Sequence, residues 1–299
     1  MQHIDTLFIG SSTKDLLMQV ASPPASDQRI TATSFTVSLG GVSSTAANAH
    51  QSLGGVTGVI SAVGDDETGA FIRDNLEQQH FAYLDVAVFP GCFSSTSMIQ
   101  VEQDGKRCLT CFGGCIRELR FDALDKAVLR RTGILHLGVL EPELMLQLCR
   151  CCKEETEARI SIDGGNIPRP LMEELLPYTD VFIPDNKTAM ATLGLEPEDA
   201  CRWYVAHGAR LACVTAADRG SWAFDGERLV HADTIPIHPV DTTGAGDNFH
   251  GAFLYSLHQN WELERCLRFA NVFASLTCEG MGSRAAVPSR EKVLELCGF

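Results

Sequence analysis

Residues 241–253 read Asp-Thr-Thr-Gly-Ala-Gly-Asp-Asn-Phe-His-Gly-Ala-Phe and hold the densest chemistry in the chain. A Gly-x-Gly turn at the start of a helix leaves backbone N–H groups unpaired and pointing outward. Small side chains let an anion approach them, and the helix dipole favours negative charge there. Asp247 falls in the first helical turn. An acidic residue at that place has a plain structural use, because it complements the helix N-terminus. Beside an anion hole it also has a chemical one. Backbone donors stabilise charge on a moving phosphoryl group while a carboxylate accepts the proton of the attacking hydroxyl. Two other glycine patterns are excluded. No Gly-Lys-Ser/Thr follows, so this is not a Walker A loop, and Phe249 breaks the Gly-x-Gly-x-x-Gly fingerprint.

The elements that must position this turn follow an alternation of short apolar runs and helical stretches. That alternation predicts βα units around a mainly parallel sheet. Strands are expected at 6–10, 56–63, 134–139, 158–163, 181–183 and 211–215, and helices at 43–53, 67–78, 141–157, 170–176, 244–257 and 263–278. An extended run, 234–240, leads into the Gly-x-Gly turn. Residues 95–101 and 107–111 flank Asp104-Gly105, a pair suited to a tight hairpin turn, and 221–231 form a second hairpin around Asp225-Gly226. Residues 29–38 alternate and read as extended. Such strands, inserted between βα units, predict a small separate sheet on one large α/β domain.

Composition narrows the function classes. The 299 residues carry 24 Lys+Arg against 38 Asp+Glu, a net charge of −14, which argues against a nucleic-acid backbone binder. No apolar run approaches membrane-spanning length, and Met1-Gln2-His3-Ile4-Asp5 lacks the basic-then-apolar pattern of a signal peptide. A cytoplasmic protein without membrane partners is the expectation. The twelve cysteines are then read as reduced thiols. Cys108, Cys111 and Cys115 have spacings a metal could use, but no second pair or histidine stands at zinc-finger spacing, so small half-buried hydrophobes are the simpler reading.

Residues 241–253 resemble the second signature of the PfkB, or ribokinase-like, family of carbohydrate kinases. Other blocks resemble the family in the same order. They are Gly40-Gly41 with the following helix and Leu53-Gly54-Gly55, then Val63-Gly64-Asp65-Asp66-Glu67-Thr68-Gly69, and Asp104-Gly105-Lys106-Arg107 as a lid-hairpin tip. The resemblance runs over essentially the whole chain. It implies one ribokinase-like domain over 1–299, a three-layer α/β sandwich with a mainly parallel central sheet and a small β lid from about 12–38 and 90–115. It implies ATP-dependent phosphorylation of a sugar hydroxyl. By carry-over, Asp247 is the general base and Gly244, Ala245 and Gly246 form the anion hole. Asp15, Gly40, Gly41 and Thr45 hold the sugar, and Asn186, Thr215, Gly220, Asn271 and Gly282 border ATP. Mg2+ accompanies the nucleotide, and Asp241 and Thr243 stand where some members bind a monovalent cation such as K+.

The chain departs from the family pattern at three places. Thr45 stands where Asn is usual, which points away from ribose and toward a ketohexose or a relative. The Asn-x-x-Glu motif becomes Asn186-Lys187-Thr188-Ala189, and Ala217 replaces a usual Gly, a small change if φ there is negative. Arg29, placed on the lid side by the extended reading of 29–38, is a candidate reader of an anionic sugar, weighed against a solvated surface role. His250 is expected to pack rather than touch substrate. The competing readings are a nucleoside or aldonate kinase, or a catalytically impaired sugar- or nucleotide-binding regulator. The exposed edge of a strand lid predicts a homodimer joined through lids.

Overall fold

The computed structural model describes residues 2–299. Its strands are β1 (Ile4–Ile9), β2 (Thr13–Gln19), β3 (Ser34–Gly40), β4 (Thr57–Gly64), β5 (Tyr83–Phe89), β6 (Thr96–Val101), β7 (Arg107–Phe112), β8 (Thr132–Leu137), β9 (Arg159–Asp163), β10 (Val181–Ile183), β11 (Leu211–Thr215), β12 (Ser221–Phe224) and β13 (Leu229–Ala232). Its helices are α1 (Val42–Ser52), α2 (Glu67–Glu77), α3 (Pro142–Glu155), α4 (Arg169–Leu175), α5 (Asn186–Leu193), α6 (Pro197–Ala206), α7 (Ala245–His258), α8 (Leu263–Thr277) and α9 (Arg290–Cys297).

Nine strands join in the order β13-β12-β11-β10-β9-β8-β1-β4-β5. All neighbours from β11 to β5 are parallel, and only β12 and β13 are antiparallel. A parallel sheet covered on both faces can be apolar at every position, and β4 is buried throughout. Successive residues still divide between faces. Leu7 and Ile9 pack with Leu148, Met172 and Tyr204 from α3, α4 and α6, while Phe8 between them packs with Phe253 and Phe269 from α7 and α8. The result is three layers, helix on sheet on helix, with α1, α7 and α8 on the side that carries the candidate site.

The second sheet, β3-β2-β6-β7, is the expected small separate sheet. Its strands differ from the expected extent. β3 begins at Ser34 and continues to Gly40, because pairing Asp15 with Ser38 and Gln19 with Ser34 fixes its register on β2. Residues 20–33 form the loop before it, so Arg29 lies exposed in that loop and not on a lid strand. β2, β5, α5, α6 and α9 carry too weak a periodicity to be read from sequence. Conversely, residues 234–240 form no strand. They run along the C-terminal end of α8, where the amides of Val240 and Asp241 donate to the Cys278 carbonyl at 2.8 and 3.2 Å. Cys108 and Cys111 sit three residues apart on β7, hence on opposite faces, and Cys115 lies buried beyond it. No helix among the described residues is long and apolar enough to cross a membrane.

Candidate active site

Gly244 caps α7 with φ of 74°, and a Cβ there would collide with the Ser283 side chain, so glycine is required by backbone and by space. Among the described residues the amides of Gly244, Gly246 and Asp247 have no acceptor, while that of Ala245 makes a long bond, 3.3 Å, to the Thr242 carbonyl. The turn thus presents free donors at a helix N-terminus, with Ala245 partly committed to the turn itself.

The turn is braced from below. Asp241 is buried; its Oδ1 accepts from the Thr243 amide (2.9 Å) and hydroxyl (2.6 Å), and its Oδ2 accepts from the Gly282 amide (2.8 Å). Asn248 Nδ2 donates to the Ser283 carbonyl (2.9 Å), and the Ser283 hydroxyl meets that of fully buried Thr45 at 3.3 Å. The side chain at 45 is therefore engaged with the segment under the turn.

Asp247 is half-buried in that first turn. Burial pushes its carboxyl well above the usual aspartate value, the Asp163 and Asp15 carboxylates push it further, and the Arg107 guanidinium opposes them. Asp163 ends β9; it is buried, accepts from the Gly165 amide at 2.8 Å, and is itself raised by burial, against the pull of His250. Sequence reasoning gave Asp163 no role. The available signal was its place at the carboxyl end of a parallel strand, where open α/β sheets bind ligands. His250 is buried against His136 in a T-shaped pair, ring centroids 5.4 Å apart, which is a packing role.

Asp15 faces the site from β2. Its Oδ1 accepts from Thr13 Oγ1 at 2.6 Å, and its carboxylate packs so tightly on Gly40 that any Cβ there would overlap it. Burial raises its pKa, offset by hydrogen bonds from Thr13 and Ser97 and by the charges of Arg284 and Arg107. Gly41 follows as the N-cap of α1. The tip of the β6–β7 hairpin docks beside the turn: the Gly105 carbonyl accepts from the Thr242 amide (3.4 Å) and hydroxyl (3.2 Å). The charges of Asp15 and Arg107, both on this sheet, act on Asp247.

The residues expected to border ATP are spread more widely. Asn186 opens α5 and lines a cavity of about 460 Å³ with Lys187, Glu196 and Arg219. Asp185 caps that helix, accepting from the Thr188 amide at 2.6 Å, and Ala189 is fully buried. Thr215 ends β11, and Gly220 closes the 217–219 turn directly before β12 with φ of 77°. Ala217 has φ of 50°, so the condition for a small change is not met; holding a Cβ there costs about 1–2 kcal/mol. Asn271 spends both ends of its amide inside the protein, donating to the Ala232 carbonyl (2.8 Å) and accepting from Ser221 (3.1 Å). The Gly282 amide is held by Asp241.

A half-buried carboxylate of raised pKa beside free helix amides suits transfer of a phosphoryl group to a hydroxyl. Comparison with known proteins agrees. The profile of the pfkB family carbohydrate kinases matches residues 4–290. The chain is 28% identical to a ribokinase of Bacillus subtilis, over 96% of this chain and 97% of that one. It is 26% identical to a deoxyribokinase of Salmonella typhi, over 98% of each. The solved structure of Arabidopsis thaliana ribokinase complexed with ribose and ATP superposes with a TM-score of 0.83 over 100% of both chains at 24% identity. The chain belongs to the pfkB family of carbohydrate kinases, and is an ATP-dependent sugar kinase.

Proposed function

We propose that the protein transfers the γ-phosphoryl group of ATP to a hydroxyl of a ketohexose or a close relative, with Asp247 as general base. The observation that carries this reading is Asp247 itself, raised in pKa and set beside unpaired amides. The sugar oxygen attacks the γ-phosphorus as its proton passes to the Asp247 carboxylate. The bond between that phosphorus and the β–γ bridging oxygen breaks, and ADP leaves. The free amides of the turn stabilise charge on the phosphoryl oxygens. Asp15 accepts from two sugar hydroxyls and holds the reacting one in line. The Gly40-Gly41 segment lies beside Asp15 and contributes to the same subsite.

Among the described residues no group of three or more His, Cys, Asp or Glu converges to hold a metal ion. The protein alone does not furnish a magnesium cage, so Mg2+ fits here only as an ion held by nucleotide phosphates and water. Asp241 keeps both carboxylate oxygens on internal donors, so the same residue braces the turn whether or not K+ sits nearby.

The direct test is ADP release with ATP–Mg2+ across ketoses, aldoses, aldonates, sugar phosphates and nucleosides. A strong carbohydrate hit supports the proposal. Sugar or nucleotide binding with no turnover on any of them assigns the chain to a binding role and overturns it.

Asp163 offers a check on the base. Asp247 must be ionised to accept a proton, so kcat/KM falls as pH drops through its raised pKa. Asp163→Asn removes a negative neighbour that raises that pKa. The acid limb of the pH profile therefore moves to lower pH in the variant. An acid limb that stays in place means that Asp163 does not tune the base.

The outer face of the lid supports the expected homodimer. Phe35, Val37, Met98 and Phe112 are 61%, 38%, 49% and 55% exposed, and strand alternation puts them on the face opposite Asp15. An apolar face of this extent marks an interaction site, and a two-fold axis lets one patch cover its own copy. Light scattering should return twice 32.5 kDa for the wild type and a single 32.5 kDa species for Met98→Asp. A monomeric wild type removes the dimer.

A further inference from the structure

We propose that the substrate carries an acidic group, and that Arg284 and Arg107 bind it beside Asp15. This rests on the sugar-kinase reading of the site and names its substrate class as an anionic carbohydrate.

Arg284 lies in the loop between α8 and α9, and its two predecessors are fixed. The Gly282 amide is held by Asp241 and the Ser283 carbonyl by Asn248. Its side chain is half-buried and one Nη donates to the Ser44 carbonyl at the start of α1. Its Nε is buried and has no acceptor among the described residues. Arg107 opens β7 from the lid tip that docks on Thr242. Its register opposite Val101, which in turn pairs with Gln19, puts it on the same lid face as Asp15. Among the described residues neither arginine has a carboxylate within ion-pair distance. Ser38, directly opposite Asp15 on β3, also keeps a buried hydroxyl without a partner.

These unpaired groups say what is missing. Arginine has only donors and stays charged; burial lowers the pKa of Arg284 to about 10, still far above neutrality. A buried donor without a partner is destabilising, and the Arg284 guanidinium feels the Asp15 carboxylate without a direct ion pair to it. A neutral sugar would satisfy Asp15 and leave the buried Arg284 Nε without an acceptor, while Arg107, exposed on β7, stays hydrated. A carboxylate, phosphate or sulfonate accepts from a guanidinium fork with two parallel hydrogen bonds. The chain as a whole carries −14 and repels anions at long range, so capture of an anionic sugar needs a local cationic pair. Arg29, the cation that sequence spacing offered for this purpose, is exposed in the 20–33 loop; half-buried Arg284 and exposed Arg107 are the cations whose charges act on Asp15.

The test uses the full-length protein with fructose, fructose 6-phosphate, a 6-sulfonated fructose and gluconate. It reads kcat/KM by ADP release and, separately, the thermal shift each sugar gives without ATP. At least one anionic sugar should exceed fructose in kcat/KM by about 100-fold, and the best one identifies the oxyanion. Arg284→Gln and Arg107→Gln should each cut that preference at least tenfold, and Arg284→Lys should keep part of it, since charge remains but the fork is lost. The thermal shift separates this idea from the kinase reading. An anion-selective shift that Arg284→Gln abolishes supports the acidic-group site even where no sugar turns over. Fructose equal to or better than every anionic sugar in both readouts overturns it. So does an equal loss on neutral and anionic sugars in variants that melt like the wild type.

Discussion

Asp247→Asn should lower kcat by about two to four orders of magnitude, the usual scale for loss of a general base. The variant keeps the size of the side chain and its place in the first turn of α7, so the Gly244–Gly246 amides and the Asp241 brace remain. KM for both substrates should change little by comparison, because the lost interaction is made in the transition state. The same substitution should raise the melting temperature at neutral pH. Burial and the Asp163 carboxylate hold the folded-state pKa of Asp247 well above its unfolded value of 3.8. The folded protein therefore binds this proton more tightly than the unfolded chain. The stability contributed is fully present below the unfolded pKa and is lost as pH rises through the folded one. At neutral pH the ionised carboxylate is a burden that Asn does not carry. Steady-state kinetics and a melting curve on the same sample check both halves. Wild-type kcat in Asp247→Asn removes the assigned base, and a lowered melting temperature contradicts the electrostatic account.

Asp15→Ala should act at the other end of the substrate. A carboxylate that accepts from two sugar hydroxyls makes two hydrogen bonds of the charged kind, each worth about 1.5–3 kcal/mol. Losing both should reduce kcat/KM for the sugar by about two to four orders of magnitude. Most of the loss should fall on the KM for the sugar, while the KM for ATP stays close to wild type, since Asp15 lies on the lid and not among the nucleotide-side residues. Its folded pKa is also raised by burial, so the sign of the stability effect matches that of Asp247. An Asp15→Ala enzyme whose sugar KM is unchanged would show that the lid carboxylate does not hold substrate. Gly40→Ala gives an independent view of the same contact, because its new methyl would overlap the Asp15 carboxylate and displace it.

Much of this site was legible before any coordinates. The turn at 244–246 is local: a Gly-x-Gly run before an amphipathic helix specifies unpaired amides whatever lies around it, and Gly244 does adopt the left-handed conformation. The central strands were legible because an apolar run between turn residues is a short-range signal, and 181–183 and 211–215 match residue for residue. The lid hairpin was legible at Asp104-Gly105 for the same reason. β2 had no strand pattern of its own, and only the resemblance placed extended chain in its 12–38 region, since Thr-Lys-Asp-Leu-Leu-Met-Gln finds its order in the company of β3 and β6. Thr45 and Asn271 look like polar ligands in sequence. In the fold Thr45 meets Ser283, and Asn271 spans Ala232 and Ser221, contacts 238 and about 40–50 positions away that no local pattern encodes.

By itself the sequence determined the elements and the chemistry of the Gly-Ala-Gly-Asp turn, because hydrophobic period, turn residues and helix capping act within a few positions of the chain. Only the tertiary structure decided which charges meet. It set Asp163, from the end of β9, near Asp247, docked the hairpin tip on Thr242, and brought the charges of Asp15 and Arg107 to act on Asp247. It left Arg29 in solvent and brought the Arg284 charge to act on Asp15. The reason is that Coulomb interactions and burial depend on distance in space, and the crossovers of a parallel sheet bring together residues that lie tens to hundreds of positions apart in the chain.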